Sequence, residues 1–282
     1  MLVSTKEILI DARRRGYAVP AFNITDLQSI MVIMETCEEE SAPCLIEAAE
    51  PTIKAYGADA LFAMTEVLAK RHRIPVALHL DHGYSFDVIM QGVRAGFSSV
   101  MFDGSRLPFD ENVAATKKIV EICHACGVSV EAEIGHVGVA DHAPSEEERA
   151  QYLTRPEDAR RFAELTGVDF LAVAIGTAHG TYKFTPTLDL ERLSKIAEQV
   201  DLPLVIHGGS STPGIEKTPA LGVSKVNVFT DLQVAIREKA KEILETEPLE
   251  KLTAVKIWLT ANKAAAPVAR DWLRKLGASG KA

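Results

Sequence analysis

The sequence predicts an α/β fold, a single (β/α)8 TIM barrel filling residues 1–282 with extra helices at its C-terminal end. Three observations predict it. Short apolar runs alternate with segments of helical hydrophobic period about eight times, the pattern of parallel strands joined by crossover helices. No linker, low-complexity stretch or sequence-level repeat interrupts the alternation. The 282 residues slightly exceed the roughly 250 that such a barrel usually takes.

In chain order, residues 6–14 read as an amphipathic helix and 18–24 as a first strand with a polar end. A helix from Thr25-Asp26 to Glu40, a second strand over 43–49 and a helix over 57–70 follow. The third strand, Val76-Ala77-Leu78-His79-Leu80-Asp81-His82-Gly83, is an apolar run that ends in a carboxylate and an imidazole. Buried strands look this way where they emerge at an active-site rim. By strand alternation Asp81 and His82 point to opposite sides unless the strand has already ended. Phe86, Ile89, Met90 and Val93 mark the next helix, and 99–105 the fourth strand. After a helix over about 110–125, the fifth strand, 128–134, carries Glu131 and Glu133 on one face.

Residues 135–155 form a long polar segment without apolar period, read as a lid over the strand ends. A helix over 156–166 leads to a sixth strand, 170–180. One over 189–199 leads to a seventh, 202–210. The eighth strand, 225–231, precedes a long helix to Glu245, further helix and a Gly-rich tail.

Charge and cysteines narrow the function. A formal net charge of −8 disfavours nucleic acid or an anionic membrane as the main partner, since both need a basic face. No leader and no apolar run of about 18 residues is present, so a cytoplasmic protein is expected. Cys123-His124-Ala125-Cys126 lacks the second pair that a zinc site would need, and reads as the end of a helix.

In a barrel of this kind all strand C-termini share one mouth, which would gather Asp81, His82, Asp103, Glu133, His179 and His207. The three histidines each end an apolar strand and each precedes glycine. Three neutral imidazoles with one open position describe a catalytic zinc site, and Asp81 suits an acid or base beside it. Gly180, Gly208, Gly209 and Ser210 allow close approach of backbone N–H groups to an anion. Asn227 and Thr230 add donors and Lys183 a positive charge, at the usual phosphate position of the fold.

Leu78-His79-Leu80-Asp81-His82, Met101-Phe102-Asp103-Gly104-Ser105, Glu131-Ala132-Glu133, Gly176-Thr177-Ala178-His179-Gly180, His207-Gly208-Gly209-Ser210 and Lys225-Val226-Asn227-Val228 together resemble the class II, metal-dependent fructose/tagatose-bisphosphate aldolases. The resemblance runs in order over most of the chain. It implies a zinc ion, or another divalent metal, on His82, His179 and His207 that binds dihydroxyacetone phosphate, and it allows a monovalent cation as well. It implies that Asp81 shuttles the proton at the aldehyde oxygen and that Asp103 and Glu133 can hold the metal in an alternate inward position. Gly180, Gly208, Gly209, Ser210 and Asn227 to Thr230 would hold the phosphate end. A homodimer or homotetramer is expected from the same source.

The chain departs from that family in two places. Its lid usually reads Gly-Gly-x-Glu-Asp, with the Glu as base, where this chain has Gly138-Val139-Ala140-Asp141-His142. The resemblance then implies that either Asp141, with a side chain one methylene shorter, or His142 takes the role of base. After the last strand, fructose-bisphosphate members tend to carry an Asp and an Arg that grips the far phosphate, whereas this chain has Phe229 and Gln233. The expected activity is reversible cleavage of a ketose (bis)phosphate to dihydroxyacetone phosphate and an aldehyde. The alternatives are a relative acting on a different ketose 1-phosphate and an inactive sugar-phosphate-binding paralogue.

Overall fold

The computed structural model describes residues 2–140 and 145–282. The chain runs α1 (Thr5–Arg15), β1 (Val19–Asn23), α2 (Leu27–Glu39), β2 (Cys44–Ala49), α3 (Glu50–Tyr56), α4 (Ala58–Ala69), β3 (Val76–Gly83), α5 (Phe86–Ala95), β4 (Ser99–Phe102), α6 (Phe109–Ala125) and β5 (Ser129–Ile134). It continues with β6 (Gly138–Val139), α7 (Glu146–Tyr152), α8 (Pro156–Thr166), β7 (Phe170–Val173), β8 (Ala178–His179), α9 (Leu190–Gln199), β9 (Leu204–Ile206), β10 (Val223–Val228), α10 (Thr230–Thr246), α11 (Ala254–Asn262) and α12 (Ala265–Lys275).

Strands β1, β2, β3, β4, β5, β7, β9 and β10 close into a parallel barrel, β10 pairing back onto β1 with Val19 opposite Lys225. The strands are buried on both faces, which is why they read as near-continuous apolar runs. Helix starts follow local chemistry. Asp26 accepts from the Ser29 N–H at 2.8 Å in a capping box, and Ser85 and Asp189 cap α5 and α9. The C-terminal tail is pinned rather than loose, with Gly280 N–H donating to Glu40 O and Ala282 N–H to Ser41 O, each at 2.9 Å.

Three expectations change. The segment between the second strand and the helix over 57–70 holds a further helix, α3, with Pro51 in its first turn, where a missing N–H costs nothing. The expected sixth strand splits into β7 and β8. At Ala174 the backbone leaves the ladder to bond with Thr154, donating to its Oγ1 at 2.8 Å and accepting from its N–H at 2.9 Å. The segment over 135–155 contains β6 and α7, and β6 pairs with β8 so that Val139 lies opposite His179.

The end of β3 also corrects the alternation. The β3–β4 register shifts between Leu80 and Gly83, and His82 sits at φ 48°, in the left-handed region. This bulge turns His82 to the side that Asp81 already faces, so both reach the mouth. Gly83 makes the bulge fit: a Cβ there would lie 2.6 Å from Met101 O and 2.8 Å from Ile89 Cγ1. Gly83→Ala is therefore expected to lower unfolding free energy by about 1–3 kcal/mol in urea titrations. An unchanged midpoint would show that the bulge relaxes freely.

Candidate active site

At the mouth, His82 on β3, His179 in β8 and His207 directly after β9 each bring a ring nitrogen within 4.8 Å of the others'. In the described structure His207 Nδ1 and His82 Nε2 share a 2.8 Å hydrogen bond. The ring centroids of His82 lie 5.0 Å from His179 and 4.6 Å from His207. His82 forms a second cluster with Asp103 and Glu133 under the same 4.8 Å limit, on the β4 and β5 side.

Carboxylates stand behind two of the imidazoles. Asp103 Oδ2 lies 2.8 Å from His82 Nδ1, leaving Nε2 for the mouth. Glu131 Oε1 lies 2.7 Å from His207 Nε2, leaving Nδ1 for the mouth. Fully buried Lys225 donates to Glu131 Oε2 at 2.8 Å and stands 3.2 Å from Glu47, while His79 rests 3.5 Å from Glu131. A carboxylate on the far nitrogen fixes tautomer and ring orientation and makes the imidazole a better ligand.

The electrostatics favour positive charge at this spot. Burial pushes the His82 imidazolium down, but Asp81, the bond to Asp103 and Glu133 outweigh it and hold His82 at about 10. Burial and the His82 charge then push His179 down to about 4, and burial with the same charge drives His207 well below its usual range. Glu133 rises to about 8 through burial and the nearby Asp103. Its Oε2 is buried without a hydrogen-bond partner. Three converging imidazoles, two of them pushed toward the neutral form by burial and ringed by carboxylates, are a donor set that fits a divalent cation.

Asp81 is held from both sides. Its Oδ2 accepts from Asn23 Nδ2 at 2.8 Å and its Oδ1 from Asn227 Nδ2 at 2.9 Å, and it lies 3.8 Å from His82 Nε2. Burial alone would raise its carboxyl; the charges of His82, His207 and Lys225 and the Asn23 bond instead hold it near 2. Asp81, His82 and His179 open into a cavity of about 420 Å³ with Gly180, Gly208, Ser210, Asn227 and Thr230 on its wall. Gly208, at φ 62°, passes so near Ala178 that a Cβ would sit 2.4 Å from its carbonyl oxygen.

Lys183 is exposed and is not among the residues of that wall; its N–H donates to Ala140 O at 3.3 Å, beside β6. Gly209, between Gly208 and Ser210, leaves no room for a side chain, since a Cβ would lie 2.4 Å from Val226 Cγ1. Asp141 lies outside the described residues.

The sequence matches the family described as fructose-bisphosphate aldolase class-II over residues 3–281. The chain belongs to this class II aldolase family. The YdjI aldolase from Escherichia coli K12 is similar at 30% identity and TM-score 0.87, with 100% of each chain covered. A candidate fructose-1,6-biphosphate aldolase of Coccidioides immitis is similar at 27% identity and TM-score 0.83, over 98% of this chain and 97% of that one. The fructose-bisphosphate aldolase of Campylobacter jejuni, 24% identical with TM-score 0.85 over 100% of this chain and 97% of that one, shares the fold.

Sequence reading of this class II aldolase missed the supports of its site. Asn23 stood outside every motif, and Lys225 and Glu131 stood within motifs but with no supporting role read for them, although a lysine inside an apolar strand is itself a signal of a buried counter-charge. Tyr182 was missed too: its hydroxyl donates to Gly208 O at 3.0 Å and accepts from Ala178 N–H at 2.7 Å, bracing the wall between His179 and Gly208. Glu131→Gln is expected to weaken divalent-metal binding about 10–100-fold in chelator competition. Lys225→Met, which strands two buried carboxylates, should cost about 3–5 kcal/mol of stability. A divalent-metal affinity unchanged by the first substitution would remove Glu131 from the site.

Proposed function

We propose that this class II aldolase reversibly cleaves a ketose 1-phosphate, with or without a second phosphate, to dihydroxyacetone phosphate and an aldehyde, using zinc held by His82, His179 and His207. The observation that carries the reading is the convergence of those three imidazoles at the barrel mouth. A divalent cation there supplies positive charge that stabilises the negative charge developing on the substrate's carbonyl oxygen. Asp103 and Glu133 offer an alternate, inward site for the same ion.

The chain's own residues supply the rest. Asp81, ionised and fixed by Asn23 and Asn227, takes the hydroxyl proton from the carbon that becomes the aldehyde and returns it in condensation. Asp141 serves on this reading as the base at the dihydroxyacetone carbon. The phosphate end fits the wall of Gly180, Gly208, Ser210, Asn227 and Thr230. There α10 begins with its positive end toward the wall, and the Asp231 N–H of its first turn donates to Ser210 Oγ at 3.3 Å.

Among the described residues no helix is long and apolar enough to cross a membrane. Leu244, Leu249, Val255 and Leu259, all exposed on or between α10 and α11, support a homodimer or homotetramer. The expected result with a panel of ketose phosphates is cleavage to dihydroxyacetone phosphate that vanishes with EDTA and returns with zinc. His207→Ala should lose at least about a thousandfold in kcat/KM, about 4 kcal/mol of transition-state stabilisation. Turnover that survives chelation would overturn the reading.

A further inference from the structure

Beside the mouth lies a second cavity, of about 360 Å³, lined by Thr25, Gln28, Tyr56, Gln233, Trp258 and Asn262 among others. The same elements build both cavities. Thr25 follows β1, which ends at Asn23 in the mouth, and α3 runs from beside Ala49 in the mouth to Tyr56. Gln233 N–H bonds to Phe229 O at 3.1 Å, one helical turn from the residue that lines the mouth. A substrate whose phosphate rests against Gly208 and Ser210 and whose reacting carbons meet Asp81 would reach this cavity by extending its far end along β1, α3 and α10.

The lining specifies what that far end carries. It contains no lysine or arginine. Its only charged group, Asp26, is acidic and already occupied in capping α2. A second phosphate would find no cation to pair with and a carboxylate nearby. What the cavity offers instead is amides, a hydroxyl and two rings. Asn262 is 2% exposed, its Nδ2 donates to Trp258 O at 3.1 Å, and its Oδ1 has no hydrogen-bond partner. A buried acceptor without a donor is costly unless a ligand supplies one. Tyr56 and Trp258 are about half exposed, and flat rings of this kind pack against the C–H faces of sugars while hydroxyls seek the amides.

We infer that the cavity of Gln28, Tyr56, Gln233, Trp258 and Asn262 is a subsite for the uncharged, polyhydroxylated far end of an aldehyde longer than a triose. The inference rests on the aldolase reading above and names its substrate class: a ketose 1-phosphate without a second phosphate.

The test is condensation of dihydroxyacetone phosphate with glycolaldehyde, glyceraldehyde 3-phosphate and neutral tetroses and pentoses. The expected order places at least one neutral tetrose or pentose about tenfold or more above glyceraldehyde 3-phosphate in kcat/KM. Asn262→Leu and Trp258→Ala should lower the ratio of the long neutral aldehyde to glycolaldehyde about tenfold, mainly through KM. Gln233→Arg should raise the use of glyceraldehyde 3-phosphate. Trp258 and Gln233 are not buried, so those variants carry the test if Asn262→Leu fails to fold. A wild-type preference for glyceraldehyde 3-phosphate, or ratios unmoved in all variants, overturns the subsite and leaves the aldolase reading intact. Failure with every aldehyde, glycolaldehyde included, overturns both. A smaller assembly for Trp258→Ala in light scattering, with an unaltered aldehyde profile, would assign this face to contact between copies and overturn the subsite.

Discussion

Lys225 holds Glu131 at 2.8 Å and Glu131 meets His207 at 2.7 Å, so one imidazole at the mouth is oriented from inside the barrel. All three groups are fully buried. Burying an ammonium and carboxylates costs several kcal/mol each, and their attraction offsets this only when the geometry is good. A barrel that needed stability alone would fill these positions with Val, Ile or Leu. The ionic run makes sense as a device that fixes which nitrogen of His207 faces the substrate. Asp103 does the same for His82 from the neighbouring strand.

Orientation also comes from the backbone. His82 reaches the mouth only because β3 bulges and the residue accepts a left-handed conformation, a strained state that the packing around Gly83 and Met101 holds in place. On the opposite wall His179 lies outside the barrel ladder, in a two-stranded sheet with the root of the segment over 135–155. Ala140 N–H bonds to His179 O at 2.8 Å. The placement of that imidazole is thereby tied to the backbone that follows β5.

Much of this was legible in the sequence because it depends on period and punctuation. Apolar runs ending in Asp-His, His-Gly and His-Gly-Gly located the strand ends, and barrel topology then brought His82, His179 and His207 together. What was not legible depends on contacts between distant strands. Strand alternation sends Asp81 and His82 apart, and only the register shift against β4 joins them. Lys225 looks like an ordinary strand residue until Glu47 and Glu131 are seen beside it. The second cavity arises from α2, α3, α10 and α11, whose mutual packing no short motif encodes.

The central claim is that three imidazoles from separate elements close on a single divalent cation. X-ray absorption at the zinc edge, on protein loaded with one equivalent of zinc, tests it most directly. The account predicts three imidazole nitrogens at about 2.0–2.1 Å with one or two further oxygen ligands, and loss of one nitrogen in a His179→Ala variant. A sulfur scatterer, an all-oxygen shell, or a spectrum unchanged by that substitution would contradict it.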